Sequence, residues 1–452
     1  MTTPHHSIHT GFRLPRLLLP RPGVDLAKWA VIACDQYTSE PEYWRRVEAL
    51  VGDAPSTLNL VFPEVHLGAA DAPARIARIQ QAMRTTLDAG LLVPHDGAVL
   101  VERRVDGRTR RGLMLELDLE HYDYTPTSQS LIRPTEGTIV SRLAPRIEVR
   151  RDAALELPHV LVLIDDPERT VIEPVAAAVA AVKAGSGQRP PLYATELMLG
   201  GGHVAGHAVD AAQADAACKA LAALAAPEVV ARRYGVPAGT PPMLFAVGDG
   251  NHSLATAKSI WEQVKARVGP DHPSRFALVE VENIHDPALH FAPIHRLLIG
   301  VRADLRAALA EHFGVRLQVI DAPSADAMRA DVQAVEARAE RAVQAVGVVE
   351  PGPRFAVARI ADPEASLSVG TLQNFVDAFV ARGGAADVDY VHGDETLERL
   401  AQQPGHAGFH LGTVPKGELL KRVMHEGPLP RKTFSMGEAH EKRYYVEARR
   451  IR

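Results

Sequence analysis

Residues 243–258, Met-Leu-Phe-Ala-Val-Gly-Asp-Gly-Asn-His-Ser-Leu-Ala-Thr-Ala-Lys, constrain this chain more than any other stretch. Met243 to Val247 is an apolar run of the kind that forms a buried strand. Gly248-Asp249-Gly250-Asn251-His252 breaks that run. Paired glycines admit backbone angles that other residues avoid, and they let another group approach the main chain. Ser253 to Val268 carries helix formers, with Asn251 or Ser253 as candidate caps. A strand, a Gly-rich turn and a helix start form an anion site, because unbonded N–H groups and the helix dipole face the turn. Asp249 and His252 add an acidic and a titratable group to it. The pattern is neither a Walker loop nor Gly-x-Gly-x-x-Gly, and many strand–Gly–helix turns in α/β proteins bind nothing.

Composition sets the outer bounds. A chain of 452 residues, 46% hydrophobic and 23% charged, has the balance of a globular protein with two or three compact parts. A net charge of −5 gives no general affinity for nucleic acid. Two cysteines, Cys34 and Cys218, exclude a disulfide framework and a Cys-rich zinc site. The run Pro174 to Val182 is too short to span a membrane. The first residues lack a basic segment followed by an apolar core, so no secretory signal is expected and cytoplasmic residence is the default.

The rest of the chain alternates between strand and helix signals. Trp29 to Cys34 and Leu58 to Pro63 resemble short strands, and the tip Asp35-Gln36-Tyr37 falls where the first would end. Ala72 to Ala89 has helical period, and Asp106-Gly107 between alternating runs predicts a hairpin. Leu157 to Ile164 is a buried strand, Asp210 to Arg233 one long amphipathic helix, and Ala325 to Val343 another helix.

Four further stretches carry chemistry. In Leu131 to Arg150, Arg133, Arg142, Arg146 and Arg150 outnumber Glu136 and Glu148 on Pro- and Gly-broken backbone. Arg suits bidentate recognition of phosphate or carboxylate, although a surface salt-bridge belt has the same composition. Glu136 beside Gly137 sits on a turn, placed to act as a base, whereas Glu148 alternates with arginines as on a strand face. His295-Arg296 ends an apolar run and offers a phosphate contact. Arg431, Lys432, Thr433 and Ser435 form a donor cluster that could close over an anion, or an exposed basic tail.

Metal readings compete with simpler ones. Asp165-Asp166 at a strand end could hold a cation such as Mg²⁺, and a capping turn explains them equally well. His203 and His207 have helical ligand spacing, but Gly202 and Gly206 oppose a helix and no Glu follows His203. A loop near the site is the competing expectation for them.

Five blocks together carry a family resemblance. Residues 28–44, 132–138, 196–203, 248–252 and 430–439 resemble the DUF1015 family of bacterial proteins over nearly the whole chain. That family's Asp-Gly-His-His-Arg-type motif is in turn similar to the phosphate loop of the ParB/sulfiredoxin superfamily, which includes free-serine kinases. The resemblance implies that Asp249, Gly250 and His252 hold phosphates, supported by Gly248, Asn251 and Ser253, with Glu136 as the base. This chain departs at Ser253, where the motif has Arg, and so lacks one cation. Lys258, Arg142, Arg146, His295 and Lys432 are candidate replacements.

The expected fold is mixed α/β, with a ParB/sulfiredoxin-like core elaborated by further segments. The expected parts are residues 1–128, a catalytic core 129–300, and a C-terminal part 301–452. The expected function is phosphoryl transfer on a small molecule, with ATP or ADP and Mg²⁺ as cofactors and serine or phosphoserine as substrate. The implied partners are that substrate and the nucleotide, with no membrane and no nucleic acid, and with a homo-oligomer left open. A nucleotide-binding switch without turnover, and a metal-dependent hydrolase using His203 and His207, are the alternatives.

Overall fold

The computed structural model describes residues 11–184, 189–337 and 342–452. The chain forms two compact units. The first runs through Leu289 and regains Leu420–Pro428 and Ala439–Arg452; the second holds His290–Leu419 and Leu429–Glu438. Both mix helices with sheets, as expected of a mixed α/β chain. Among the described residues, no helix is long and apolar enough to cross a membrane.

The first unit is built on a nine-stranded mixed sheet. Its order is Ile132–Pro134, Phe245–Asp249, Leu161–Ile164, Phe276–Asn283, Arg108–Asp118, Val99–Val105, Gly202–Ala208 and Tyr193–Leu197, with Phe12–Arg13 paired to Arg108–Asp118. Apolar clusters cover both faces: Leu113, Leu115, Val162, Val247 and Val279 belong to one, and Val101, Met114, Val204 and Leu278 to the other. Phe276–Asn283 is buried along its whole length, so Glu280 and Glu282 need partners inside the protein. Arg443 lies 2.8 Å from Glu280 and Arg110 lies 2.6 Å from Glu282. Asp106 and Gly107 both have positive φ, +50° and +72°, and form the expected hairpin between Val99–Val105 and Arg108–Asp118.

One pairing decides where a site can form. Ile132–Pro134 runs parallel to Phe245–Asp249, with Pro134 opposite Val247. The C-terminal ends of parallel neighbours emerge on one side, the usual place for ligands in α/β sheets. The segment holding Glu136 and the Gly-rich turn therefore leave the sheet together.

The second unit has a seven-stranded antiparallel sheet. Its order is Leu317–Ala322, Arg354–Ala361, Val343–Glu350, His406–His410, Phe291–Ile299 and Asp387–His392, with Phe434–Met436 extending Phe291–Ile299. Leu297, Met328, Val332, Val357 and Leu397 fill its core.

Several local expectations change. Trp29 to Cys34 is not a strand: Asp25 caps a short helix, Leu26–Trp29, and only Ile32 bridges to Tyr444. Residues 57–59 form a 3₁₀ turn instead of the start of a strand. The helix expected from Asp210 to Arg233 is two, Ala211–Ala223 and Pro227–Tyr234, because Pro227 starts the second. The helix from Ala325 ends at Glu336, and residues 338–341 of that expectation, like the first residues of the chain, lie outside the described residues. A division at residue 128 would separate Arg108–Asp118 from Phe276–Asn283, which pair in one sheet, and Ala439–Arg452 joins the first unit.

Candidate functional site

The strand ends in a kink. Pairing with Leu161–Ile164 shifts register between Val247 and Asp249, so Asp249 leaves the regular ladder. Gly250 follows in the left-handed region, φ +79°, and is the N-cap of the helix Asn251–Val268. No side chain caps that helix, contrary to the expectation for Asn251 or Ser253, which both lie inside it. The first turn of a helix carries N–H groups with no partner inside the helix, and its positive dipole end faces the turn. Asn251 donates from Nδ2 back to the Val247 carbonyl at 3.3 Å. Asn251 Oδ1 is buried without a hydrogen-bond partner among the described residues, as is Thr138 Oγ1.

The Glu136 segment lies over this turn. Thr135 Oγ1 donates to the Val247 carbonyl at 2.6 Å. Ile139 N–H donates to His252 Nε2 at 3.3 Å, which makes that nitrogen the acceptor. Glu136, half-buried, sits between these two tethers. Thus Glu136, Gly248, Asp249, Gly250, Asn251, His252 and Ser253 come together.

A buried polar cluster adjoins the turn, and most of it was missed from sequence. Lys442, from the returning segment Ala439–Arg452, is buried and lies 3.3 Å from Asp249 Oδ2. Burial pushes the Asp35 carboxyl up, but His159, the Gln36 hydrogen bond and Lys442 outweigh it and hold Asp35 below its ordinary value. His159 lies 3.8 Å from Asp35 and is hydrogen-bonded through Nδ1 to the Tyr445 hydroxyl at 2.8 Å. Tyr445 also accepts from the Cys34 amide at 3.0 Å. Burial, reinforced by Asp35, raises the Glu64 carboxyl against the opposing pull of Arg146. The signals available were the polar tip at Asp35 and a histidine inside the apolar run 157–164; nothing marked Lys442.

The arginines expected to grip phosphate are engaged elsewhere. Arg133 is buried and donates to the carbonyls of Ser130 and Pro241, at 2.9 and 3.0 Å, so it pins two loops. Arg146 forks onto Glu64, with Nε to Oε1 at 2.7 Å. Arg150 pairs with Glu156 at 2.6 Å. Glu148 lies on a helix, Leu143–Arg151, not on a strand face. Arg142 is exposed just before that helix. Lys258 pairs with Glu262, one turn further along its helix, at 2.6 Å.

His295, Arg431 and Lys432 belong to the second unit. His295 is not an exposed anion contact: it is buried, with Nε2 2.9 Å from Asp394 Oδ1. His410 lies 3.0 Å from the same oxygen and stacks on His295 at 4.7 Å. Among the described residues these three form a group with metal-ligand geometry. The Leu411 amide, however, donates to His295 Nδ1 at 3.1 Å. That fixes the proton on Nε2, so His295 gives a hydrogen bond to Asp394 instead of a lone pair to a metal. Arg431 and Lys432 are exposed, and their carbonyls accept from Arg296.

The other metal readings fail on geometry. Asp166 accepts from the amides of Thr170 and Val171, the Val171 bond at 2.9 Å, and is the turn cap. Asp165 pairs with His285 at 2.7 Å. His203 and His207 lie on a strand, Gly202–Ala208, neither helix nor loop. Four residues of strand separate them by roughly 13 Å, too far to share an ion.

These features sit in a chain whose residues 18–379 match the model of a protein family of unknown function, DUF1015. The chain belongs to the DUF1015 family. Comparison of this DUF1015 chain with curated proteins returns no match. Among solved structures it is similar to a free serine kinase in complex with AMP, at 11% identity and a TM-score of 0.35, over 75% of this chain and 91% of that one. It is also similar to a conserved hypothetical protein from Pyrococcus furiosus (11% identity, TM-score 0.34, 74% and 90% covered). A third is SbnI with a C-terminal truncation from Staphylococcus aureus (12% identity, TM-score 0.33, 71% and 84% covered).

Proposed function

We propose that this DUF1015 chain is a phosphoryl-transfer enzyme acting on a small molecule, with ATP or ADP as donor. One observation carries the reading: the Glu136 segment is tethered over the uncapped Gly-rich turn, by Thr135 to Val247 and by Ile139 to His252. Phosphoryl transfer is mainly positioning and charge stabilisation. In this reading the positive end of the helix Asn251–Val268, which no side chain caps, faces phosphate oxygens, and Asn251 Oδ1 and Thr138 Oγ1 find partners on the ligand. Glu136 takes the proton of the acceptor hydroxyl. Lys442 offsets the charge of Asp249, which would otherwise repel phosphate. Mg²⁺, when bound, would neutralise further phosphate charge. Serine is the proposed acceptor; phosphoserine is the substrate of the reverse transfer, in which AMP or ADP takes the phosphoryl group, or of hydrolysis, in which water takes it and inorganic phosphate leaves.

The test is ³¹P NMR of the full chain with Mg²⁺, ATP or ADP, and serine, and separately with phosphoserine. The expected result is a new phosphomonoester or inorganic phosphate signal that disappears in Glu136→Gln. Heat protection by ADP with no turnover across a panel of hydroxyl metabolites would overturn it in favour of a nucleotide switch.

A further inference from the structure

Away from the Gly-rich turn, the first unit carries a cleft of about 600 Å³ on one face of its sheet. That volume is in the range of small-molecule sites. Its floor follows from register. Ala194, Ala205, Glu102 and Arg111 stand opposite one another across four strands, and Glu196, His203, Arg104 and Thr109 form the next row. The two alanines keep the floor low. One row further, Leu100 and Leu113 pair inside the covered core, so the face changes there from apolar and covered to polar and open.

The lining is chiefly cationic. Among the described residues three arginines, Arg104, Arg111 and Arg189, and two histidines, His203 and His207, line the cleft with one carboxylate, Glu102. Glu196, at the rim, approaches Arg104 only at 4.0 Å with both side chains exposed, a weak contact. His207 is 6% exposed. Its Nε2 lies 3.2 Å from Glu102 Oε2 but has no hydrogen-bond partner among the described residues. Arg111 Nε is likewise buried and unpartnered, 3.5 Å from Glu102 Oε1. Both atoms have Glu102 as a charge partner but make no hydrogen bond, and buried donors with unused hydrogen-bonding capacity favour a ligand or water that supplies it.

We propose that this cleft is a second ligand site, for a small molecule bearing a carboxylate or phosphate group. The anionic group sits among Arg104, Arg111 and Arg189, which suit planar oxyanions. His203 and His207 supply hydrogen bonds from their ring nitrogens. Glu102 accepts from a hydroxyl or amine elsewhere on the molecule. The site is independent of the phosphoryl-transfer reading.

The test uses the full chain labelled with ¹⁵N at histidine, titrated with citrate and with pyrophosphate at constant ionic strength. His203 and His207 are assigned through His203→Asn and His207→Asn. The expected result is a saturable shift of both histidines with one probe, and a dissociation constant raised at least tenfold in R104Q/R111Q. The better probe tells carboxylate from phosphate. Should R111Q unfold the protein, R104Q/R189Q, at exposed positions, gives the same comparison. The proposal is overturned if neither probe moves these histidines saturably, or if the double variants bind as the parent does. It is also overturned if pyrophosphate moves His252 alone, which would place the anion at the turn.

Discussion

Lys442 Nζ lies 3.3 Å from Asp249 Oδ2, an ion pair that ties the Gly-rich turn to the returning segment Ala439–Arg452. Lys442 is nearly covered, whereas Asp249 keeps about a fifth of its side chain exposed. Removing Lys442 strands the partly buried Asp249 carboxylate and takes a favourable charge from Asp35. We expect Lys442→Met to cost roughly 2 kcal/mol, below the range for fully buried pairs. Lys442→Met/Asp249→Asn should recover at least half of the loss. Urea unfolding followed by Trp fluorescence reads the first unit, since Trp29, Trp44 and Trp261 all lie in it.

Glu136→Gln keeps the shape of the turn and removes the base. Turnover should fall by about 10²–10⁴, the usual worth of a positioned base. Binding of ADP, measured by calorimetry, should change less than threefold. A parallel loss of binding would make Glu136 a ligand contact instead.

Gly250→Ala tests the turn's backbone. Gly250 has φ +79°, and an added Cβ would meet Val160 Cγ2 at 3.0 Å and Val160 Cα at 3.1 Å. Strain of about 1–3 kcal/mol is expected, read as a lower urea midpoint. Gly137→Ala, in the facing segment, meets nothing within 4 Å and should be near neutral.

Glu282 gives a pH signature. Burial pushes its carboxyl up to about 8, with Glu280 and Asp286 adding to the effect and Arg110 opposing it. A carboxyl raised above its unfolded value favours the folded state when protonated. Its contribution is full below about pH 4.5 and is lost as pH rises toward 8. Glu282→Gln should therefore flatten the fall in stability between pH 5 and 8, whatever constant cost comes from taking the counter-ion of Arg110 away. Trp-monitored urea curves at several pH values decide this.

The second unit should respond to acid. Hydrogen bonds from His295 and then His410 hold the Asp394 carboxyl below its ordinary value, and burial holds His295 below 6.5. A depressed carboxylate contributes stability above its unfolded value of 3.8 and loses it as pH falls. A depressed histidine must charge against burial, which destabilises the fold below about pH 6.5. Both act in one direction. Hydrogen exchange of Phe291–Ile299 and His406–His410, corrected for intrinsic rates, should show protection falling from pH 7 to 5, and less so in His295→Gln.

What the sequence reveals is what depends on neighbours along the chain. The strand, turn and helix of 243–268 show in a switch of hydrophobic period, and the hairpin at Asp106-Gly107 shows in turn chemistry. What fails depends on distant partners. Arg133 looks like a phosphate ligand until the carbonyls of Ser130 and Pro241 are seen to occupy it. Arg146 is equally ambiguous until Glu64 appears opposite. Asp35, His159 and Lys442 come from three separated segments, and no local pattern links them. The strand expected at Trp29 to Cys34 fails because Asp25 starts a helix first.

The second unit is an insertion between parts of the first, and this orders events during synthesis. Arg443 reaches Glu280, Tyr445 reaches His159 and Arg449 reaches Glu156 only after residues 290–419 have emerged from the ribosome. Until then the nascent chain holds Glu280 and Glu156 without these counter-ions, so the first unit's interior is completed last although most of it is translated first.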